Sequence, residues 1–527
     1  MKIKKIILIL ICIVTMFSTC LSINIFAEKN PDLIITKDSE TQFQYYKDRP
    51  DLHNSNPIDN LSVTYDDSSN TYIVTLSGDV TLNPVDDPAI GSNSSNIKVN
   101  GEGCLTINYS LTKNGVIKHE QGVAAHPYSM IHTTNPDVAL TEIFFTLTLG
   151  DEKENKNDNN KLTLNLNTIR SQEVEEYFAL EESPSDEAMM ECLSSDNIII
   201  NGVDLNVNGS GYLIHSRKII EMNDCNNVIN YSQGYSNRLF FLYSQNESIC
   251  FNRSTLNMDV DDIPELYFAM PFYGPSEVKI IDSKANAKVP VFIDEPVSLL
   301  YGKNIIVSNS DCYLSGSFAA VLASNLEINN SNFGFVGGYL SVVLMPENTE
   351  EGLTINEDIT HGGYFETIMN PGDLGPEYSL ITIVSDSPKI DINMDSNVSI
   401  YAGSDKDNVK PYDSLEDVIK DKCCYIFFER QYSITIMDGD IEYTDITIDV
   451  PLSGIIERPE DPIKEGYKFV GYYCDKELTI PFDFNNIVTE DTTIYLKWKK
   501  VEEEKKEEKS DNIHNNHIYN VPKTGIR

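Results

Sequence analysis

The sequence predicts a mainly β protein whose body is a right-handed parallel β-helix, and three observations lead there. A phrase of short, apolar-alternating segments recurs, its two best copies align over a 21-residue offset without a gap, and the phrase contains no helix-length pattern. The copies are NIKVNGEGCLTINYS from Asn96, NIIINGVDLNVNG from Asn197, NIIVSNSDCYLSG from Asn304 and NLEINNSNFGFVGG from Asn325. In the last two, Asn304 falls on Asn325, Val307 on Ile328, Asn309 on Asn330, Ser310 on Ser331, Cys312 on Phe333, Leu314 on Phe335 and Gly316 on Gly337. A looser copy, EVKIIDSKA from Glu277, stands 27 residues before Asn304. A period near twenty suits a solenoid, in which each turn is too small to bury its apolar face alone and stacks on its neighbours. Val307 and Ile328 should then point inward on adjacent turns, about 5 Å apart along the axis. Asn and Gly tolerate the left-handed backbone of corners, and stacked Asn side chains can hydrogen-bond from turn to turn. An antiparallel sandwich also gives many short strands, but copies held in one register favour the helix.

The elements around this body follow in order. Residues 1–27 combine Lys2, Lys4 and Lys5 with an apolar run from Ile6 to Phe17 and a small residue, Ala27, which reads as a secretory signal peptide. Residues 28–95 are an N-terminal β cap region, in which LSVTYDDSSNTYIVTLSGDVTL, Leu61 to Leu82, alternates on either side of DDSSN as a hairpin does. The β-helix body spans 96–430. DEKENKNDNN, from Asp151, interrupts it as a solvated loop, and the stretch EVEEYFALEESPSDEAMMECLSS, from Glu173, has room for a short helix. DSLEDVIKDKCC, from Asp413, offers another helix near the end, where a solenoid exposes apolar rung faces and needs a cap.

Charge and cysteine content narrow the function classes. With 40 basic and 81 acidic residues the net charge is −41, and loss of the signal would remove three further lysines, so nucleic acid is not an expected partner. No later segment has eighteen consecutive apolar residues, so no transmembrane segment is expected in the mature chain. DINMDSN, Asp391 to Asn397, has Ser396 where a calcium loop wants Gly and Ala402 where it wants Glu, and so reads as a strand. Eight cysteines lie beyond the signal: Cys104, Cys192, Cys225, Cys250, Cys312, Cys423, Cys424 and Cys474. Without a CxxC pair or a compact framework they read mostly as small buried apolar residues. No metal or cofactor is implied.

Residues 431–500 differ in character. They contain Pro459 and Pro462, then Gly466, Tyr467, Phe469, Gly471, Tyr472, Tyr473 and Asp475, then Phe482, Asp483 and Phe484, then Asp491, Thr492, Ile494, Tyr495, Lys497 and Trp498. This pattern resembles the internalin B-repeat family, also called the Listeria–Bacteroides repeat, with Tyr472 where the family usually has Trp. The resemblance implies a small β-grasp-like module of exported bacterial surface proteins, and no catalysis. Physically, a module of this size needs aromatics such as Phe469, Phe484, Tyr495 and Trp498 to bury enough surface, so packing is their expected role.

Residues 501–527 are of mixed charge, poor in apolar residues and expected to be a disordered spacer; His514 and His517 within it lack a third metal ligand. The spacer carries Val521, Pro522, Lys523, Thr524 and Gly525, which resemble the sortase signal LPxTG with Val in place of Leu. The resemblance implies attack by a sortase at Thr524. Since only Ile526 and Arg527 follow, the sequence as it stands reads either as a reading frame cut short or as a variant released into the medium or held on the surface by weak contacts, with sortase a partner only where an apolar anchor follows.

Signatures of catalysis are sparse: GxSxG, HExxH and the P-loop are missing. A β-helix polysaccharide lyase or glycoside hydrolase would need converging carboxylates and, for a lyase, a basic residue. Asp259, Asp261 and Asp262, with Arg253 upstream, are the best local set, against the simpler reading of a solvated acidic turn. The expected function is therefore non-enzymatic: an exported cell-envelope protein that adheres to, or binds a glycan of, a host or environmental surface, or a surface protein. Among the 28 tyrosines some could serve as stacking platforms for sugars, though Tyr is also common in strands.

Overall fold

The computed structural model describes residues 32–38, 41–46, 53–114, 129–134, 142–151, 162–169, 173–174, 191–231, 238–260, 268–291, 297–357, 362–375, 378–385, 389–394, 398–430, 432–444, 446, 448, 450, 456–488 and 490–501. The signal-like segment, the loop after Asp151, residues 175–190 of the stretch from Glu173, Asp261, Asp262 and the VPKTG motif lie outside them. The chain divides into two compact units, Met1–Arg430 and Gln431–Arg527.

The first unit is mainly β, with a large and mostly parallel sheet. Its pattern is plainest around the two aligned copies. Ser298–Ser308 and Asp311–Ser315 are followed by Ala319–Asn329 and Asn332–Gly337, and the first pair lies in parallel beside the second. Asn304 pairs with Asn325, Val307 with Ile328, Cys312 with Phe333 and Leu314 with Phe335, as the sequence alignment expects. One turn of chain thus supplies three short runs, 298–302, 304–308 and 311–315, and each run pairs with its counterpart one turn later. We call their outer surfaces the first, second and third faces. Where loops between runs lengthen, the offset grows without disturbing the pairing, as Glu277 beside Asn304 and Ser248 beside Glu277 show.

Period-two alternation in each run sends one set of side chains inward. Val278, Ile305, Leu326 and Leu353 form one fully buried column, and Ile280, Val307, Ile328 and Ile355 another. On the third run the column Ala287, Leu314, Phe335, Phe365 grows in size toward the C-terminal end. Gly363 is the matching concession, because a Cβ there would stand 2.0 Å from the Phe333 ring.

The corner between second and third runs shows why the turns stay in register. Asp224, Arg253, Asp282, Asn309 and Asn330 occupy it with positive φ, between 45° and 56°. The residue after each of the last four is a buried serine: Ser254, Ser283, Ser310 and Ser331. Each hydroxyl accepts the amide N–H of the corresponding residue one turn earlier, at 3.0–3.2 Å, and donates to the carbonyl two residues before it, at 2.6–2.8 Å. One hydroxyl therefore satisfies two backbone groups that burial would otherwise leave costly. Outward, Asn83, Asn108, Asn167, Asn208 and Asn230 form a ladder of amide hydrogen bonds at 2.7–3.0 Å.

At the N-terminal end Leu33–Thr36 pairs antiparallel with Thr41–Tyr45, and Leu61–Asp66 with Thr71–Ser77, the expected hairpin. At the other end parallel pairing stops: Tyr425–Arg430 runs antiparallel to both Gly363–Thr367 and Val398–Gly403. The helix Leu415–Lys420, capped by Ser414, buries Leu415 and Val418 against the same core as Ile400, Ala402 and Phe428. Lys389–Met394 is a strand, as expected for this stretch. The eight cysteines beyond the signal-like segment form no disulfide among the described residues; Cys192, Cys225 and Cys312 lie deep in the core and Cys474 is exposed.

The second unit has a four-stranded sheet in the order Ile441–Glu442, Ile434–Asp438, Thr492–Lys500, Tyr467–Tyr473, with a parallel pair at its centre. Its core is Ile436, Ile448, Val450, Ile456, Tyr472, Val488, Ile494 and Leu496. A bulge between Phe469 and Gly471 shifts the phase, so that Phe469 and Tyr472 both face this core while Val470 is exposed. Tyr472 is the deepest aromatic, 3% exposed, with ring contacts to Phe469 and Phe484 at 4.9 and 5.3 Å. Trp498 is half-buried, 5.3 Å from Phe469, and its indole N–H has no partner among the described residues. Tyr495 falls in the opposite phase to Ile494 and Leu496, beside Tyr473, and Tyr467 is exposed beside Gly466, whose φ of +77° suits a turn. The expectation of aromatic packing thus fits Phe469, Phe484 and, in part, Trp498. For Tyr467 and Tyr495 strand alternation sends the ring elsewhere.

Candidate functional site

Aromatic side chains line two outward faces of the first unit, and their geometry separates structural rings from available ones. On the first face Tyr243, Tyr273 and Tyr301 stand on successive turns. Their ring centroids are 4.6 and 4.7 Å apart and the planes are tilted by only 11° and 5°. At the spacing of adjacent strands, parallel rings must cover one another's faces. Tyr212 and Phe240 continue the stack, and Phe240 and Met270 are buried with it. Inside the stack only ring edges remain for a ligand.

One end of that stack is held by an ion pair. The His215 ring packs 5.2 Å from Tyr212 and from Tyr243, and Nδ1 meets the carboxylate of Glu191, which also accepts a 3.0 Å hydrogen bond from Ser129. Burial alone would raise the Glu191 pKa, but the His215 charge and the hydrogen bonds from His215, Ser194 and Ser129 outweigh it and lower the value to about 2. A depressed carboxyl stabilises the fold above its unfolded value of 4.5, and that contribution fades as pH falls toward 2. Glu191→Gln should therefore cost on the order of 2–3 kcal/mol at pH 5 and close to nothing at pH 2, which urea titrations at the two pH values measure.

The third face differs. Its outward column runs Tyr313, Gly334, Tyr364 and Phe427, with Tyr401 beyond. A Cβ on Gly334 would lie 2.5–2.6 Å from Cζ, Cε1 and the hydroxyl of Tyr364, so the ring of Tyr364 lies down across the neighbouring strand, over a residue with no side chain. A ring laid on a sheet keeps its other face outward. Tyr313 is 6.5 Å away at 36° and Tyr425 6.0 Å away at 31°, tilted neighbours that do not cover it. Phe427 and Tyr401, 5.2 Å apart, extend the row. Glu366 points outward on the same strand as Tyr364 and opposite Tyr425, its carboxyl raised by burial against the opposing pull of Lys406. Tyr313, Tyr364, Tyr425 and Glu366 make no side-chain hydrogen bond among the described residues. Three phenol groups and one carboxylate thus border an open aromatic surface, the composition of a site that stacks on a ligand and orients it with a few polar contacts.

Arg253 occupies the corner, its guanidinium held by both oxygens of Asp224 at 2.9 Å, which raises its pKa. Asp259 is exposed at the end of Thr255–Asp259, on the third face. Asp261 is not among the described residues, and among those no His, Cys, Asp and Glu group is fit to hold a metal. Sequence reading offered no pointer to the platform beyond an excess of tyrosine. The usable signal was an aromatic and a glycine in one outward column.

Comparison with known proteins bears on the second unit. Residues 434–497 match the Listeria-Bacteroides repeat domain. The repeat thus accounts for the strands from Ile434 to Lys497 and for the core around Tyr472. Two proteins of Evansella cellulosilytica, carrying only the provisional names of a membrane protein and a Gly-rich membrane protein, are each 42% identical over 53 residues. That stretch is 10% of this chain and 8% and 6% of theirs, so the chain spans less than a tenth of the curated relatives it matches. No solved structure gives a significant match. Among the described residues no helix is long and apolar enough to cross a membrane.

Proposed function

We propose that this is an exported, non-enzymatic protein of the bacterial cell surface, in which a right-handed parallel β-helix presents a glycan-binding face. Support for the β-helix comes from three runs per turn in parallel register, from inward apolar columns and from the repeated corner. A surface location is supported by the Listeria-Bacteroides repeat and is in keeping with the membrane-protein names of the Evansella relatives. The observation that carries the binding role is the Tyr364 ring, laid over Gly334 with its outer face open and the Glu366 carboxylate beside it.

A glycan array probed with the full chain and with Tyr364→Ala tests this. The wild type should be retained on at least one glycan family and the variant should lose it, with no new reducing ends or unsaturated sugars released. Product release from a bound polysaccharide would instead favour a β-helix lyase or hydrolase. Antibody against the chain should label intact cells, as a surface location requires.

A further inference from the structure

We infer that the third-face platform selects an uncharged, flat-ribbon glycan, a β-1,4-linked chain of equatorially substituted pyranoses, and rejects polyanionic ones. This rests on the glycan-binding reading above and narrows it. The first reason is shape. Tyr364 presents a ring lying on the sheet, and its tilted neighbours stand 6.5 and 6.0 Å from it, a spacing on the order of the width of one pyranose. The row from Tyr313 to Phe427 crosses neighbouring strands, the last of them antiparallel, so it runs across the strands of the sheet and suits an extended oligomer over a single sugar. Chains linked β-1,4 through equatorial bonds stay extended and expose axial C–H groups on both sides, whereas α-1,4 linkage coils the chain away from a plane.

Charge supplies the second reason. The outward neighbours of these rings include the carboxylates Asp311, Glu366 and Glu429, against two cations, Lys284 paired to Asp311 at 3.4 Å and Lys406 acting on Glu366. Burial raises the carboxyls of Glu366 and Glu429, and one Glu429 oxygen is buried with no partner among the described residues. A uronate or sulfate brought to this surface would meet half-buried carboxylates and a chain of net charge −41, with repulsion in a partly desolvated place. Sugar hydroxyls can instead donate to Glu366 and accept from the phenols.

Isothermal titration of the full chain with cellohexaose, maltohexaose and polygalacturonate at physiological salt tests the inference. Cellohexaose should bind, maltohexaose about tenfold or more weakly, and polygalacturonate not measurably. Tyr364→Ala should weaken cellohexaose by roughly tenfold or more. Gly334→Val is the second variant: its side chain need only displace the far end of Tyr364, so circular dichroism should stay native while binding falls by a similar factor. Equal binding of malto- and cellohexaose, or preference for polygalacturonate, would overturn the selectivity and leave glycan binding standing. Silence with all three glycans would overturn the selectivity, and silence across the glycan array as well would overturn glycan binding itself. Cellohexaose binding that survives both substitutions in folded protein would remove it from this face.

Discussion

Ile328→Asp should unfold the turns around it. The residue is fully buried between Val307 and Ile355, in a column of aliphatic side chains with no polar group to receive a charge. Burying a carboxyl there without a partner is expected to cost at least about 4 kcal/mol, whereas Ile328→Val should cost about 0.5–1.5 kcal/mol. Because each turn touches only its neighbours, the damage should spread from the substituted turn. Limited proteolysis followed by mass spectrometry would locate the first cuts in the turns flanking residue 328. Cleavage beginning in the hairpin of Leu61–Asp66 and Thr71–Ser77 would mean that the body opens from its end and not at the lesion.

Tyr472→Ala is expected to unfold the second unit. Its ring joins Phe469 and Phe484, and its hydroxyl donates to the Glu460 carbonyl at 3.2 Å. Loss of a large buried aromatic costs about 3–5 kcal/mol, a large share of the 5–15 kcal/mol that stabilises an ordinary domain. Tyr472→Phe removes only the hydrogen bond and should cost about 1 kcal/mol. Trp498→Ala should cost less than Tyr472→Ala, because Trp498 is only partly buried, near the end of its strand. The chain has a single Trp, so its emission reports on this unit alone. The Tyr472→Ala protein should show a red-shifted emission at temperatures where the wild type does not, while far-UV dichroism still reports the body. A native emission spectrum up to the wild-type midpoint would show that Tyr472 is not the centre of this core.

The register of the body was legible because adjacent turns repeat the same apolar phase at the same offset. Val307 and Ile328 could be matched from the sequence since nothing is inserted between the copies. The helix at Leu415 was legible from Ser414 and the spacing of Leu415 and Val418, the cap and the buried pair. What the sequence hid depends on residues far apart in the chain. The corner serines work only because the amide one turn earlier lies within reach, and no local pattern announces that. The platform likewise depends on a glycine and a tyrosine from different turns. In the repeat, alternation predicts that residues 469 and 471 share a face, but the bulge puts Tyr472 there instead, so the departure from the family's Trp sits at the most buried aromatic position. Arg253 drew attention as a lone base near acids, yet its place at a left-handed corner explains its pairing with Asp224.

Because the described parallel turns between the two ends pair with one another in the same way, they can be counted, and tandem duplication or deletion is a natural way for such a gene to drift. Excising residues 319–339 would bring 340–344 against 298–302 and leave the aliphatic columns continuous. The same excision would set Tyr364 directly beside Tyr313, on a strand that has a phenol where Gly334 had nothing. Tyr364 would have to stand up, and an open ring would become one more member of a closed stack. The turn whose loss would leave the aliphatic columns continuous is therefore the turn that gives the Tyr364 ring its open face, and under the proposed glycan binding, selection would be felt there as selection on copy number.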